Sequence, residues 1–136
     1  MKKILLIGLI ISYSTTLFAV MAYPGEITFK QADGSTFKGH LKGDEWFSWV
    51  EGGNQDTILT YNRNSKNYEL ATIQQVNGVA ELTPSGTKFS PSHHTANSFS
   101  LGSQAVDKKA VKKSLSTIWQ RKRNEAFTRM KDSYNF

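Results

Sequence analysis

The spacing of apolar side chains changes along the chain. Residues 4–11 form an unbroken apolar run. From Glu26 to Gly86 apolar and polar residues alternate in short stretches, punctuated by Gly, Asn and Asp. From Asp107 onward the apolar residues recur at helical spacing. Alternation places every second side chain on one face of a strand, and the longer period places a stripe along a helix. The pattern predicts an α+β fold, mainly β. About six to seven short strands form a small antiparallel sheet or partly open barrel, followed by one long C-terminal amphipathic helix.

Two turns predict their own register. After the alternation of Glu26 to Gln31, with Ile27 and Phe29 on one face, comes Ala32-Asp33-Gly34, then Thr36 to Leu41. A two-residue Asp33-Gly34 loop would split the phenylalanines between faces. A three-residue loop, Ala32 to Gly34, sets Phe29 opposite Phe37, with Gly34 in the left-handed position of a bulged turn. Asn77-Gly78 between Val76 and Val79 is the strongest hairpin signal in the chain. Its two-residue loop pairs Val76 with Val79 and Ile73 with Leu82. Gly43-Asp44 predicts another turn. Glu45 to Glu51, aromatic on both faces, reads as a central strand covered on both sides or as a strand with a bulge. Thr57 to Tyr61 and Tyr68 to Gln75 read as strands, and Thr83-Pro84-Ser85-Gly86 as the turn that ends the run.

The helix is expected from about Asp107 to about Lys131. Val111, Leu115, Ile118, Trp119, Lys122, Ala126 and Met130 share one face, with Phe127 and Tyr134 beside it. The order is then residues 1–22, a signal peptide; 23–89, an antiparallel β module; 90–106, a linker rich in Ser, Thr, Asn and His; and 107–136, a basic helix. The first assignment rests on Lys2 and Lys3, the apolar run behind them, and small residues up to Ala22, the expected cleavage point. The apolar core is too short to cross ~30 Å of hydrocarbon. The chain is therefore expected to be exported, periplasmic or secreted.

Charge sharpens this division. Residues 23–106 carry six basic and eight acidic side chains, whereas residues 107–136 carry nine basic and three acidic. The sequence pI of about 9.6 thus belongs to the helix. Lys108, Lys109, Lys112 and Lys113 crowd its first turns, where cations oppose the macrodipole. Arg121-Lys122-Arg123 forms a tribasic site, read either as a protease cleavage point or as a solvated stretch. These seven residues are the candidate contacts for an anionic partner. The aromatics lie in the near-neutral body and the cations in the helix. That separation does not match a specific nucleic-acid surface, which interleaves the two.

Candidate chemistry is sparse. The chain has no cysteine, so it has neither a disulfide nor a thiolate site. His93 and His94 are adjacent in the linker, with no carboxylate at ligand spacing, and His40 reads as a solvent-facing strand residue. Asp44 and Glu45 point to opposite faces of a strand and do not form an acid–base pair. Ser85 in Pro-Ser-Gly is not a nucleophile elbow. The expectation is no catalysis, no metal and no cofactor. Trp46, Phe47 and Trp49 are candidates for an aromatic binding platform, although aromatics at strand spacing more often build core.

Three stretches carry a family resemblance: Tyr23-Pro24-Gly25, Gln31-Ala32-Asp33-Gly34-Ser35-Thr36-Phe37, and Gly43-Asp44-Glu45-Trp46-Phe47-Ser48-Trp49-Val50-Glu51. Pro84-Ser85-Gly86 follows at a fitting distance. Together they resemble the N-terminal, prodomain-like segment of secreted zinc metallopeptidases of the immune-inhibitor-A type. The resemblance implies a strand-rich module, a basic helical connector, and a metallopeptidase domain as partner. It implies no catalytic residue here, because the chain contains no His-Glu-x-x-His. The function expected on this basis is that of a non-catalytic module acting by protein–protein contact, or of a truncated remnant. The alternative is a secreted binding module whose cationic helix docks on an anionic envelope or membrane surface. The oligomeric state is left open.

Overall fold

The structure is a computed structural model that describes residues 23–53, 55, 57–91, 100–101, 104–105 and 107–134. The expected signal peptide, the histidine pair His93-His94 and most of the expected linker lie outside the described residues. Six antiparallel strands follow one another in chain order: β1 (Ile27–Lys30), β2 (Thr36–Gly43), β3 (Ser48–Gly52), β4 (Thr57–Asn62), β5 (Asn67–Val76) and β6 (Val79–Lys88). The sheet is open, with β1 and β6 at the two ends of the order. Two short strands, β7 (Ser100–Leu101) and β8 (Gln104–Ala105), pair with each other, and β7 also pairs in parallel with the start of β4 at Thr57. One helix, α1 (Lys108–Ser133), follows. The expected fold class is therefore the observed one, in its open-sheet form.

Both predicted registers are present. Phe29 lies opposite Phe37, their rings stacked 5.3 Å apart, and Gly34 has φ +86°. Ring contact adds on the order of 1 kcal/mol to the area that the pair buries. Val76 faces Val79 and Ile73 faces Leu82 around Asn77 (φ +53°) and Gly78 (φ +78°), the paired positive angles of a type I′ turn.

Two expectations about strand limits are corrected. Residues Glu45 to Phe47 are a bend, not strand, and β3 begins at Ser48. Gly43 has φ +94°, and a Cβ there would lie 2.0 Å from the Phe47 carbonyl oxygen. Asp44 Oδ1 accepts from the amides of Trp46 (3.0 Å) and Phe47 (3.2 Å), which closes the turn. The second correction is at Thr83 to Gly86, which does not end the run. Strand β6 continues through Pro84 to Lys88. A proline is tolerated there because β6 pairs only with β5, and its missing N–H costs the ladder nothing on the outer side.

The sheet is covered on both faces. One core holds Phe29, Phe37, Val50, Leu59, Leu70 and Phe89, with Ile27, Leu41 and Tyr68 packed on it. The other holds Ile58, Ala71, Val111 and Leu115, with Phe47, Trp49, Leu82 and Leu101 around it. Neighbours Ile58 and Leu59 are both fully buried, one in each core, as befits a strand near the middle of the sheet. Helix α1 supplies the second core. Its side chains at Val111, Leu115, Ile118 and Ala126 are buried, on the face that the periodicity marks.

Gln31, beyond the end of β1, is only 4% exposed and stands in for a strand. Its Oε1 accepts from Tyr68 N (2.7 Å), while its Nε2 donates to Phe89 O (3.1 Å) and Tyr68 O (3.3 Å). One amide side chain thus satisfies three backbone groups and ties the start of the sheet to its far side.

Candidate functional site

Helix α1 begins at Asp107, whose carboxylate accepts from Lys109 N at 3.1 Å. Its middle is held by two polar clasps. Trp119 Nε1 donates to Asp44 Oδ2 at 2.8 Å, so the carboxylate that closes the β2–β3 turn also grips the helix. Beside this contact the Trp46 ring lies 6.3 Å from that of Phe127. The second clasp is Glu81 on β6. Its Oε1 accepts from Arg121 Nη2 (2.7 Å) and pairs with Lys122 Nζ (2.9 Å). Arg121 also donates to Ala80 O (3.0 Å) and, through Nη1, to Glu125 (2.7 Å). Burial works against ionising Glu81, but the Lys122 and Arg121 hydrogen bonds outweigh it and hold its carboxyl below the usual glutamate value.

The sequence-predicted cations therefore divide. Arg121 and Lys122 are half-buried and engaged with the sheet. Within the tribasic stretch both side chains meet Glu81 on the sheet, and the backbone there is mid-helix. Lys108, Lys109, Lys112, Lys113 and Arg123 are exposed. Arg123 lies over the Phe127 ring, 5.6 Å from its centroid.

At about 100° per residue, Lys109, Lys112, Lys113, Arg123 and Lys131 fall within one sector of roughly 100°, together with Phe127 and Tyr134. All seven are exposed. The two acidic residues of the helix, Glu125 and Asp132, lie on the opposite side of it. The sector adjoins the buried stripe without overlapping it. Sequence reasoning missed Lys131, Phe127 and Tyr134 as members of this surface. Their angular position was readable, but which flank of the stripe stays open depends on how the helix is seated.

Trp46, Phe47 and Trp49 are not gathered into one open platform. Trp46 is half-buried on the turn. Phe47 and Trp49 lie 5.5 Å apart and pack in the second core under the helix. The Trp49 indole nitrogen is buried and has no hydrogen-bond partner among the described residues.

Other ionisable groups serve turns. Glu69, only 3% exposed, accepts from Ser65 Oγ (2.6 Å), Asn62 Nδ2 (2.9 Å) and Gly86 N (2.9 Å). Burial opposes its ionisation, and these three bonds overcome that opposition, so its carboxyl sits below the usual value. Asp33 is held well below the usual range by Lys88 first and Ser35 second. Among the described residues, no group of three or more His, Asp or Glu side chains comes together in a way that would hold a metal ion. Comparison with protein families, curated proteins and solved structures finds no match to this chain.

Proposed function

We propose that the protein is an exported, non-catalytic module, similar in kind to the prodomain-like N-terminal region of immune-inhibitor-A-type zinc metallopeptidases, and that it acts by contact with such a peptidase domain. The observation that supports this reading is the joint between the two parts of the resemblance. The Gly43-Asp44-Glu45-Trp46 segment and the basic helix form one unit, through Asp44 to Trp119 and Trp46 to Phe127. Asp33-Gly34, in the other motif, shapes the β1–β2 turn: the Asp33 carboxylate accepts from Ser35 N (3.0 Å) and Ser35 Oγ (2.6 Å). The motif residues thus serve turns and the helix–sheet joint, which supports reading them as scaffold.

The test is to mix the purified protein with a related secreted metallopeptidase domain. Inhibition, or a raised refolding yield of the peptidase, is the expected result. An unchanged activity together with an unchanged refolding yield, at concentrations well above those of the peptidase, overturns the reading.

A further inference from the structure

We infer that the outer face of α1 is a docking surface for a bilayer of anionic phospholipid, with Lys109, Lys112, Lys113, Arg123 and Lys131 meeting headgroup phosphates and Phe127 and Tyr134 seated at the interface. Val111, Leu115, Ile118 and Ala126 are already buried on the sheet, so the helix has no apolar face left to bury deeply in hydrocarbon. No helix among the described residues is long and apolar enough to cross a membrane. The sector that holds Lys109, Lys112, Lys113, Arg123 and Lys131 is exposed and contains no carboxylate of the helix, since Glu125 and Asp132 lie on the other side.

Coplanarity selects the partner. Side chains in one sector of a rigid helix form a strip along its length, here about 33 Å from Lys109 to Lys131 at 1.5 Å per residue. A bilayer surface offers phosphates along any line. The row is also mixed in a way that suits an interface. Lysines occupy the first turns, and the exposed rings of Phe127 (49% exposed) and Tyr134 (85% exposed) stand near the other end. Aromatic rings of this kind settle at the headgroup level, and long basic side chains reach outward to phosphates. Lysines at the start of a helix oppose its dipole, so they cost local stability in solution, and an anionic surface removes that conflict. The sheet contributes rigidity. The Asp44 and Glu81 clasps hold the helix formed before contact, so docking carries little ordering cost.

The experiment is co-sedimentation of the purified exported protein with vesicles of phosphatidylglycerol and phosphatidylcholine, and with vesicles of phosphatidylcholine alone. Binding is expected only to the anionic vesicles and is expected to weaken steeply between low and high salt. The triple change Lys109→Glu, Lys112→Glu, Lys113→Glu should lower affinity on the order of 100-fold, from about ten-fold or less per lysine at an anionic surface. Acidic residues near a helix N-terminus favour the helix, so this variant should remain folded, and circular dichroism checks it. A charge-matched control, Lys30→Glu, Arg63→Glu, Lys66→Glu, alters exposed residues of the sheet module and should keep most of the binding. Equal loss in the two triples overturns the inference in favour of diffuse charge. So does equal binding to neutral vesicles. Retention on immobilised polyglutamate without vesicle binding also overturns it, and assigns the face to an acidic protein. The inference stands apart from the peptidase reading: either binding can fail while the other is observed.

Discussion

The carboxylate of Asp44 accepts from two backbone amides of the β2–β3 turn and from the Trp119 indole, so it couples a local turn to a helix seventy-five positions away. Trp119→Phe removes only the third bond and should cost on the order of 1 kcal/mol, read as a lower denaturation midpoint. Asp44→Ala removes all three and should cost more, about 2–3 kcal/mol. In the double variant the two losses should not add, because the bond they share is broken once. Full additivity in chemical denaturation would show that the clasp contributes nothing. Gly43→Ala acts on the same turn by a different route. Its Cβ would collide with the Phe47 carbonyl oxygen, and its positive φ is strained for alanine, so a loss of roughly 2 kcal/mol or more is expected.

At the scale of elements, helix α1 is fastened by its apolar stripe and by Glu81. Leu115, 1% exposed, sits in the second core, and Leu115→Ala should cost about 2–5 kcal/mol by cavity formation. The Arg121-Lys122-Arg123 bonds should resist trypsin while the helix is seated. Glu81→Ala, by leaving Arg121 and Lys122 without their shared acceptor, should speed cleavage there under native conditions, and mass spectrometry of the fragments checks it. Local chemistry explains which of these elements the sequence discloses. The turns Ala32-Asp33-Gly34 and Asn77-Gly78 fix their registers with residues adjacent in the chain, and the helix stripe repeats often enough to be unmistakable. The aromatic alternation after Gly43 mimics a strand, but an Asx turn and a crowded glycine overrule it. Pro84 signals a strand end only where both edges of a strand are paired. The division of the basic residues into engaged and outward groups was hidden, because Glu81 and Arg121 meet only after the sheet and helix have packed. Gln31 bridging Tyr68 and Phe89 was hidden for the same reason.

For the molecule as a whole, Glu69 and Glu81 make stability depend on pH in a defined direction. Each carboxyl titrates below its ordinary value of 4.5 in the folded protein, because hydrogen bonds and, for Glu81, cations outweigh the cost of burial. A depressed folded value means that the unfolded chain binds protons first as pH falls. Their contribution is therefore fully present above about pH 5.5, begins to fade as pH approaches 4.5, and is lost as pH passes through the lower folded values. Asp33, engaged by Lys88 and Ser35, acts in the same sense at still lower pH. The two glutamates fasten different regions: Glu69 holds the β4–β5 turn to Gly86, and Glu81 holds the helix to β6. Denaturation midpoints measured from pH 7 to pH 3 should separate them. Glu81→Gln should lower stability at pH 7 by on the order of 1 kcal/mol, and the difference from the parent should shrink as falling pH protonates the parent's carboxyl. Salt should reduce that difference at pH 7, since the Arg121 and Lys122 partners are only half-buried. Glu69→Gln should also flatten the acid limb, but with little response to salt, because its partners are two neutral side chains and an amide. Acid limbs that stay equally steep in both variants would place the proton uptake elsewhere in the chain.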